Sequence, residues 1–185
     1  MADTFRLTLA QANPVMGDLA GNAKKVREVW AEAKAAGSDM VAFPEMFIVG
    51  YNAQDLILKP ALQAAALAEI EQLAVECAEG PVVAVGGPLV QEGALYNAYF
   101  ILKGGKIAHT QLKHHLPNYT VFDEERLFAH GPMGGPYDVN GVRVGSPICE
   151  DAWFEVCRKL WRKPARRSSW CRMARLITAT SLIAA

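Results

Sequence analysis

No run of apolar residues in this 185-residue chain approaches the ~20 needed for a membrane-crossing helix, which argues against an integral helical membrane protein. The first residues, Met1 to Leu9, carry Asp3 and Arg6 and then alternate. They lack the continuous apolar core of a secretory signal, so the expected location is cytoplasmic. Cysteine is sparse: Cys77, Cys149, Cys157 and Cys171, with no Cys-x-x-Cys pair. That spacing builds neither a disulfide framework nor a zinc site, and free thiols in a reducing compartment are expected. No internal repeat is visible.

What is present is ordinary globular composition, 51% apolar and 21% charged, enough for one domain with a real core. Phe5 to Ala12 alternates like a strand, and Asn13-Pro14 and Gly17-Asp18 follow as turn signals. Val26, Val29, Trp30 and Ala33 recur at helical spacing within Asn22 to Ala36, and Gly37 fits a helix C-terminal cap. Met40 to Phe43 reads as a buried strand stopped by Pro44, Ala61 to Ala78 as a second helix, and Val82 to Val85 as a third strand. Tyr96 to Leu102 and Lys106 to Leu112 flank Lys103-Gly104-Gly105 as a hairpin. Residues 113–135 read as a long ordered loop. Pro136 to Val139 and Val142 to Ile148 flank Asn140-Gly141, a strong two-residue turn signal. The order β-α-β-α-β followed by antiparallel strands implies a layered α/β domain with a mixed sheet.

Three candidate chemical residues sit at strand ends beside turn residues: Glu45 after Phe43-Pro44, Lys113 after Leu112, and Cys149 in Ile148-Cys149-Glu150-Asp151. Layered α/β folds place reactive groups at such positions. A thiol, a carboxylate to move its proton and an ammonium to hold an oxyanion form a coherent set. Spacing alone does not bring them together. On the residues alone Cys149 also reads as core filling, Glu45 as part of a solvated turn, and Lys113 with His114 and His115 as a solvated basic patch. Adjacent histidines on a strand would point to opposite faces, which argues against a metal.

Four stretches together carry a resemblance. They are Ala10-Gln11-Ala12-Asn13-Pro14 with Gly17-Asp18 and Gly21-Asn22; Phe43-Pro44-Glu45 with Gly50-Tyr51, Asp55-Leu56 and Lys59-Pro60; Tyr96-Asn97-Ala98 with Lys113, Leu116-Pro117-Asn118-Tyr119 and Val121-Phe122-Asp123-Glu124; and Ile148-Cys149-Glu150-Asp151 with Trp153. Over roughly residues 5–154 the chain resembles the nitrilase, or carbon–nitrogen hydrolase, superfamily, and within it the glutaminase domain of glutamine-dependent NAD synthetases. The resemblance implies a nitrilase-like αββα sandwich and a Glu-Lys-Cys triad. In that triad Cys149 is the nucleophile, Glu45 the general base and Lys113 the oxyanion-stabilising cation. Glu124 fits an additional supporting glutamate, with Glu125 as its neighbouring alternative, and Tyr51 and Tyr119 fall in pocket positions. The implied reaction is hydrolysis of glutamine through a Cys thioester. It needs no metal or organic cofactor, since ATP and magnesium serve only a separate synthetase domain or subunit that receives the ammonia. Homo-oligomers are also implied.

The charge balance changes abruptly after Phe154. Of 19 acidic residues only Glu155 follows that point, together with eight of the 19 basic ones. Relatives continue there with a helix, a buried strand and an Asn-x-Ser-Pro-type segment that helps bind substrate. Here Arg158, Lys159, Arg162, Lys163, Arg166 and Arg167 interrupt every apolar period, and Pro164 breaks any helix. The expected division is therefore residues 1–154, the N-terminal part of a nitrilase-type domain, and residues 155–185, an atypical basic tail read out of frame. A native basic tail that binds nucleic acid or anionic membrane is the rival, disfavoured because it lacks an amphipathic stripe or an aromatic stacking motif. Two other functions stay open: an inactive truncated remnant or interaction module, and a hydrolase for another small amide.

Overall fold

The computed structural model describes residues 4–156, 159, 175 and 176. Five strands form one mixed sheet in the order β1-β2-β3-β4-β5. β1 (Leu7–Leu9), β2 (Met40–Ala42) and β3 (Val82–Gln91) run parallel. β4 (Ala94–Lys103) and β5 (Lys106–Leu112) add antiparallel hairpins. Parallel neighbours need long crossovers, and here these are α1 (Leu19–Ala35) and α2 (Pro60–Glu76).

Alternation along the strands builds two cores. Val41, Phe43, Val83, Val85, Phe100 and Leu102 face the helices, where Val26, Ala33, Ile70 and Leu73 meet them. Met40, Ala42, Val82, Ala84, Tyr99 and Ile101 face the other way, onto Val139, Val144 and Ile148. Those last residues belong to a second sheet or its exit: β6 (Tyr137–Val139), β7 (Val142–Gly145) and β8 (Arg175–Leu176). Because both faces are covered, β2 and the start of β3 read as continuous apolar runs.

Local chemistry sets the element ends. Asp18 caps α1 by accepting the Gly21 N–H at 2.9 Å. Gly37, at φ +66°, ends the helix, with its N–H on the Lys34 carbonyl and the Ser38 N–H on the Ala33 carbonyl. Pro60 opens α2, where its missing N–H costs nothing. The turn Asn140-Gly141 has φ +53° and +79°, as a tight hairpin between β6 and β7 requires.

The structure corrects three readings. The third strand does not end at Val85 but runs to Gln91 and turns at Glu92-Gly93 into β4. Gly86-Gly87-Pro88 resembles a turn, yet pairing to β2 ends at Ala84. Beyond that point one edge of β3 has no strand from β2, and proline is tolerated at such an edge. Cys77 caps the C-terminus of α2 instead of lying inside it. His114 and His115 follow the end of β5 at Leu112, so the strand rule does not apply to them; their rings meet edge-on at 4.7 Å. The basic segment 155–185 lies outside the described residues except for 155, 156, 159, 175 and 176.

Candidate active site

Glu45 lies just beyond β2. The chain continues through Phe43, whose N–H bonds the Ala84 carbonyl at 2.8 Å, and then turns with Met46 at φ +51°. This turn presses onto β3. A Cβ on Gly86 would stand 2.2 Å from the Met46 nitrogen and 2.8 Å from the Glu45 Cα, so glycine is required for the backbones to approach this closely. From the other side Asn22, fully buried on α1, holds the loop end. Its amide donates to the carbonyls of Val15 and Ile48, and its oxygen accepts the Val15 N–H.

Lys113 leaves the end of β5 with its backbone fixed on both sides. Its N–H donates to the Asn97 carbonyl at 2.9 Å, and its carbonyl accepts the Gly131 N–H at 2.8 Å. The side chain is fully buried. Its ammonium donates to Glu45 Oε1 at 2.7 Å and to both Glu124 oxygens at 2.8 and 2.7 Å. Burial alone would lower its pKa, but the charges and hydrogen bonds of Glu45 and Glu124 outweigh this and raise it. The lysine therefore stays cationic. Glu124 opens the short helix α3 (Glu124–Leu127) and is 5% exposed. Burial, then the nearby Glu45 charge, pushes its carboxyl up against the opposing pull of Lys113. Glu125 instead faces solvent, 4.0 Å from His130, so Glu124 is the glutamate that meets Lys113.

The two Glu45 oxygens differ. Oε1 accepts from Lys113 and, at 2.6 Å, from the amide of Asn97. Oε2 is buried with no hydrogen-bond partner. One oxygen is thus held in place while the other keeps its lone pairs for a proton.

Cys149 stands after the buried Ile148, at the start of a 3-10 turn spanning Cys149–Trp153, with φ +46°. A left-handed backbone is uncommon for a residue with a side chain and marks a held position. Burial pushes the thiol up to about 11, Glu45 adds to this, and Lys113 opposes it. The thiol therefore lies within the field of Glu45, Lys113 and Glu124 while remaining protonated at neutral pH.

The other predicted positions divide. The Tyr51 hydroxyl is 3.4 Å from Glu124 Oε1, which places it against the cluster. Tyr119 is exposed, its ring edge-on to Phe122, and joins none of the cluster's hydrogen bonds described above. Two residues of the site went unassigned at the level of sequence: Asn97, and Asp151, which is 1% exposed. The available signal was a polar residue within an apolar strand, at Asn97 between Tyr96 and Ala98. Among the described residues no group of three histidine, cysteine or acidic side chains could hold a metal.

The model of the family described as carbon-nitrogen hydrolase matches residues 6–166. The glutamine-dependent NAD(+) synthetase of Rhodobacter capsulatus is 50% identical over 153 residues, which are 83% of this chain and 28% of that protein. The solved structure of glutamine-dependent NAD+ synthetase from Acinetobacter baumannii, in complex with ADP, superposes with a TM-score of 0.76 at 33% identity. The match covers 84% of this chain and 29% of that one. A cysteine-to-serine mutant of the Nesterenkonia AN1 amidase from the nitrilase superfamily has a TM-score of 0.74 at 17% identity, which speaks for the fold alone. It covers 95% of this chain and 65% of that one. The chain thus spans under a third of the length of the curated relatives it matches. Its architecture is that of nitrilase-type α/β proteins, and the chain belongs to the carbon-nitrogen hydrolase family.

Proposed function

We propose that the chain is the catalytic part of a glutaminase, with Cys149 attacking the side-chain amide of glutamine and the ammonia passing to an NAD synthetase domain or subunit. The observation that carries this reading is Glu45: Lys113 and Asn97 hold its Oε1 while its buried Oε2 has no hydrogen-bond partner, and the Cys149 thiol lies within its field with its pKa raised by burial. Such a thiol needs a base during attack, and Glu45 offers a free lone pair.

As Sγ bonds to the amide carbon, its proton moves to Glu45. The carbonyl π electrons move onto oxygen, and the Lys113 ammonium stabilises the oxyanion. Collapse breaks the C–N bond, and Glu45 returns the proton to the leaving ammonia. Water then attacks the γ-glutamyl thioester, and Glu45 accepts one of its protons. Breaking the C–S bond returns a proton to sulfur and frees glutamate. Glu124 keeps Lys113 charged and in place, while Tyr51 and Tyr119 serve as pocket residues. This half-reaction uses no cofactor; ATP and magnesium belong to the amidation step. The full enzyme is proposed to be a homo-oligomer of the cytoplasm. For this chain, the described residues contain no helix long and apolar enough to cross a membrane.

The identity to NAD synthetases supports glutamine over other small amides. The change of charge after Phe154, where only Glu155 of the 19 acidic residues follows together with eight of the 19 basic ones, favours a second reading, an inactive remnant. We propose that residues 155–185 are read out of frame. Ammonia release by the 185-residue chain, compared for glutamine, asparagine and simple aliphatic amides, separates these readings. Preference for glutamine, abolished by Cys149→Ala, supports the glutaminase. Equal release from all amides points to another hydrolase, and no release from folded protein points to the remnant.

A further inference from the structure

The thiol and the ammonium reach the site from different sheets. Lys113 leaves β5 of the five-stranded sheet, and Cys149 follows β7 of the second sheet. Their relative position needs a link, and Asp151 supplies one. Its N–H closes the turn around Cys149 by donating to the Ile148 carbonyl at 3.1 Å. Its carboxylate crosses to the other sheet, where Oδ1 accepts the His115 N–H at 2.8 Å and Oδ2 the His114 N–H at 3.3 Å. These are the first two amides after Lys113, where strand pairing has ended. Buried amides left without acceptors would be costly. A carboxylate that is 1% exposed satisfies both.

We propose that Asp151 is a positioning residue: by clasping the two amides after Lys113 it sets the distance between the Cys149 thiol and the Lys113 ammonium. Asparagine could retain the His115 bond through its oxygen but would turn an NH₂ group toward the His114 N–H. Alanine would release both. Burial disfavours the Asp151 charge, while the two N–H bonds favour it, as expected of a carboxylate kept inside for the bonds it makes. His115 adds a second tie, its ring stacked on Phe154 at 3.7 Å just beyond the same turn.

The proposal rests on Cys149 and Lys113 acting together, but two readouts stand apart from turnover. The first is the pH profile of Cys149 alkylation by iodoacetamide in the full chain, followed by peptide mass spectrometry with buried Cys77 as internal control. Lys113 lowers the Cys149 pKa, so loosening the clasp should raise the midpoint. In Asp151→Asn the rate at a fixed pH below that midpoint should fall by about tenfold, as when a thiol titrates roughly one pH unit higher, with the Cys77 profile unchanged. The second is amide hydrogen exchange by NMR. His114 and His115 should be protected in the wild-type chain, and His114 should lose protection in Asp151→Asn. An unshifted Cys149 midpoint in a folded variant that has lost His114 protection would overturn the proposal. Fast exchange of both amides in the wild-type chain would overturn it without any variant. A shift of Cys77 together with Cys149 would identify a general loss of packing and also count against it. An inactive wild-type chain that still shows the selective Cys149 shift would sink the glutaminase reading and leave the positioning role standing.

Discussion

The side-chain amide of Asn97 and the ammonium of Lys113 meet on a single oxygen, Glu45 Oε1, at 2.6 and 2.7 Å. The opposite oxygen is left open, so under the proposed mechanism Asn97 selects which lone pairs of Glu45 handle the proton. Asn97→Ala removes a hydrogen bond to a charged group, a contribution of about 1.5–3 kcal/mol. The expected result is a kcat for ammonia release lowered by roughly 10- to 100-fold with a smaller change in KM. Steady-state kinetics on folded protein checks this, and an unchanged kcat would remove Asn97 from the site.

Glu45→Gln should move two properties of Cys149 in opposite directions. Turnover should fall by about 100-fold or more, since no base remains. The Glu45 charge raises the thiol pKa, so its neutralisation should lower that pKa and speed alkylation by iodoacetamide at pH 8. Loss of both activities in a folded variant would show that Glu45 shapes the thiol by some route other than charge.

The same thiol sets an alkaline limit on stability. Burial raises both Cys77 and Cys149 from 9.0 to about 11. A raised folded-state pKa contributes stability that is fully present below the unfolded value and lost as pH rises through the folded one. The urea midpoint should therefore fall between about pH 9 and 11, and Cys149→Ser should flatten part of that fall.

Glu124 and Glu125 are neighbours in sequence with opposite environments. Glu124→Gln removes a charge from Lys113 and should lower ammonia release about tenfold or more, as for the loss of a buried charged partner. Glu125→Gln changes a solvent-facing group and should leave release within about twofold of the wild type. A reversed order in parallel assays would contradict the geometry around Lys113.

Much of the fold could be read from the sequence because its signals are local. Alternation placed β1, a short apolar run stopped by Pro44 placed β2, helical spacing placed α1, and Asn140-Gly141 placed the hairpin of the second sheet. The end of β3 was hidden because Gly86 answers to a distant neighbour, the backbone at Glu45 and Met46. At the site, the residue types at Glu45, Lys113 and Cys149 suggested chemistry, but spacing could not join them. Hydrogen bonds spanning 68 residues, as from Lys113 to Glu45, leave no periodic mark. Asn97 and Asp151 escaped assignment for the same reason: their partners lie on other elements.

The proposal for the basic segment has a test in the encoding DNA. An out-of-frame codon can join the third base of one codon to the first two of the next. In that frame Trp170-Cys171 can give only valine and Met173-Ala174 only glycine. Among the readings that codon degeneracy permits for Leu160 to Leu176 is Leu-Ala-Glu-Thr-Gly-Ala-Glu-Ile-Leu-Leu-Val-Pro-Asn-Gly-Ser-Pro. Such a reading fits the helix, strand and Asn-x-Ser-Pro-type segment that the family resemblance implies. Sequencing the gene should show this reading. Codons that break the apolar run or lose the Asn-Gly-Ser-Pro segment would leave the segment a native tail.

The most direct test of the central claim is capture of the γ-glutamyl thioester. The 185-residue chain is mixed with glutamine, quenched in acid within one turnover, and weighed intact, with the adduct located by peptide mapping. The account predicts a γ-glutamyl group on Cys149, absent in Cys149→Ala and formed more slowly in Glu45→Gln. A folded chain that stays unmodified, or one acylated at another residue, would contradict it.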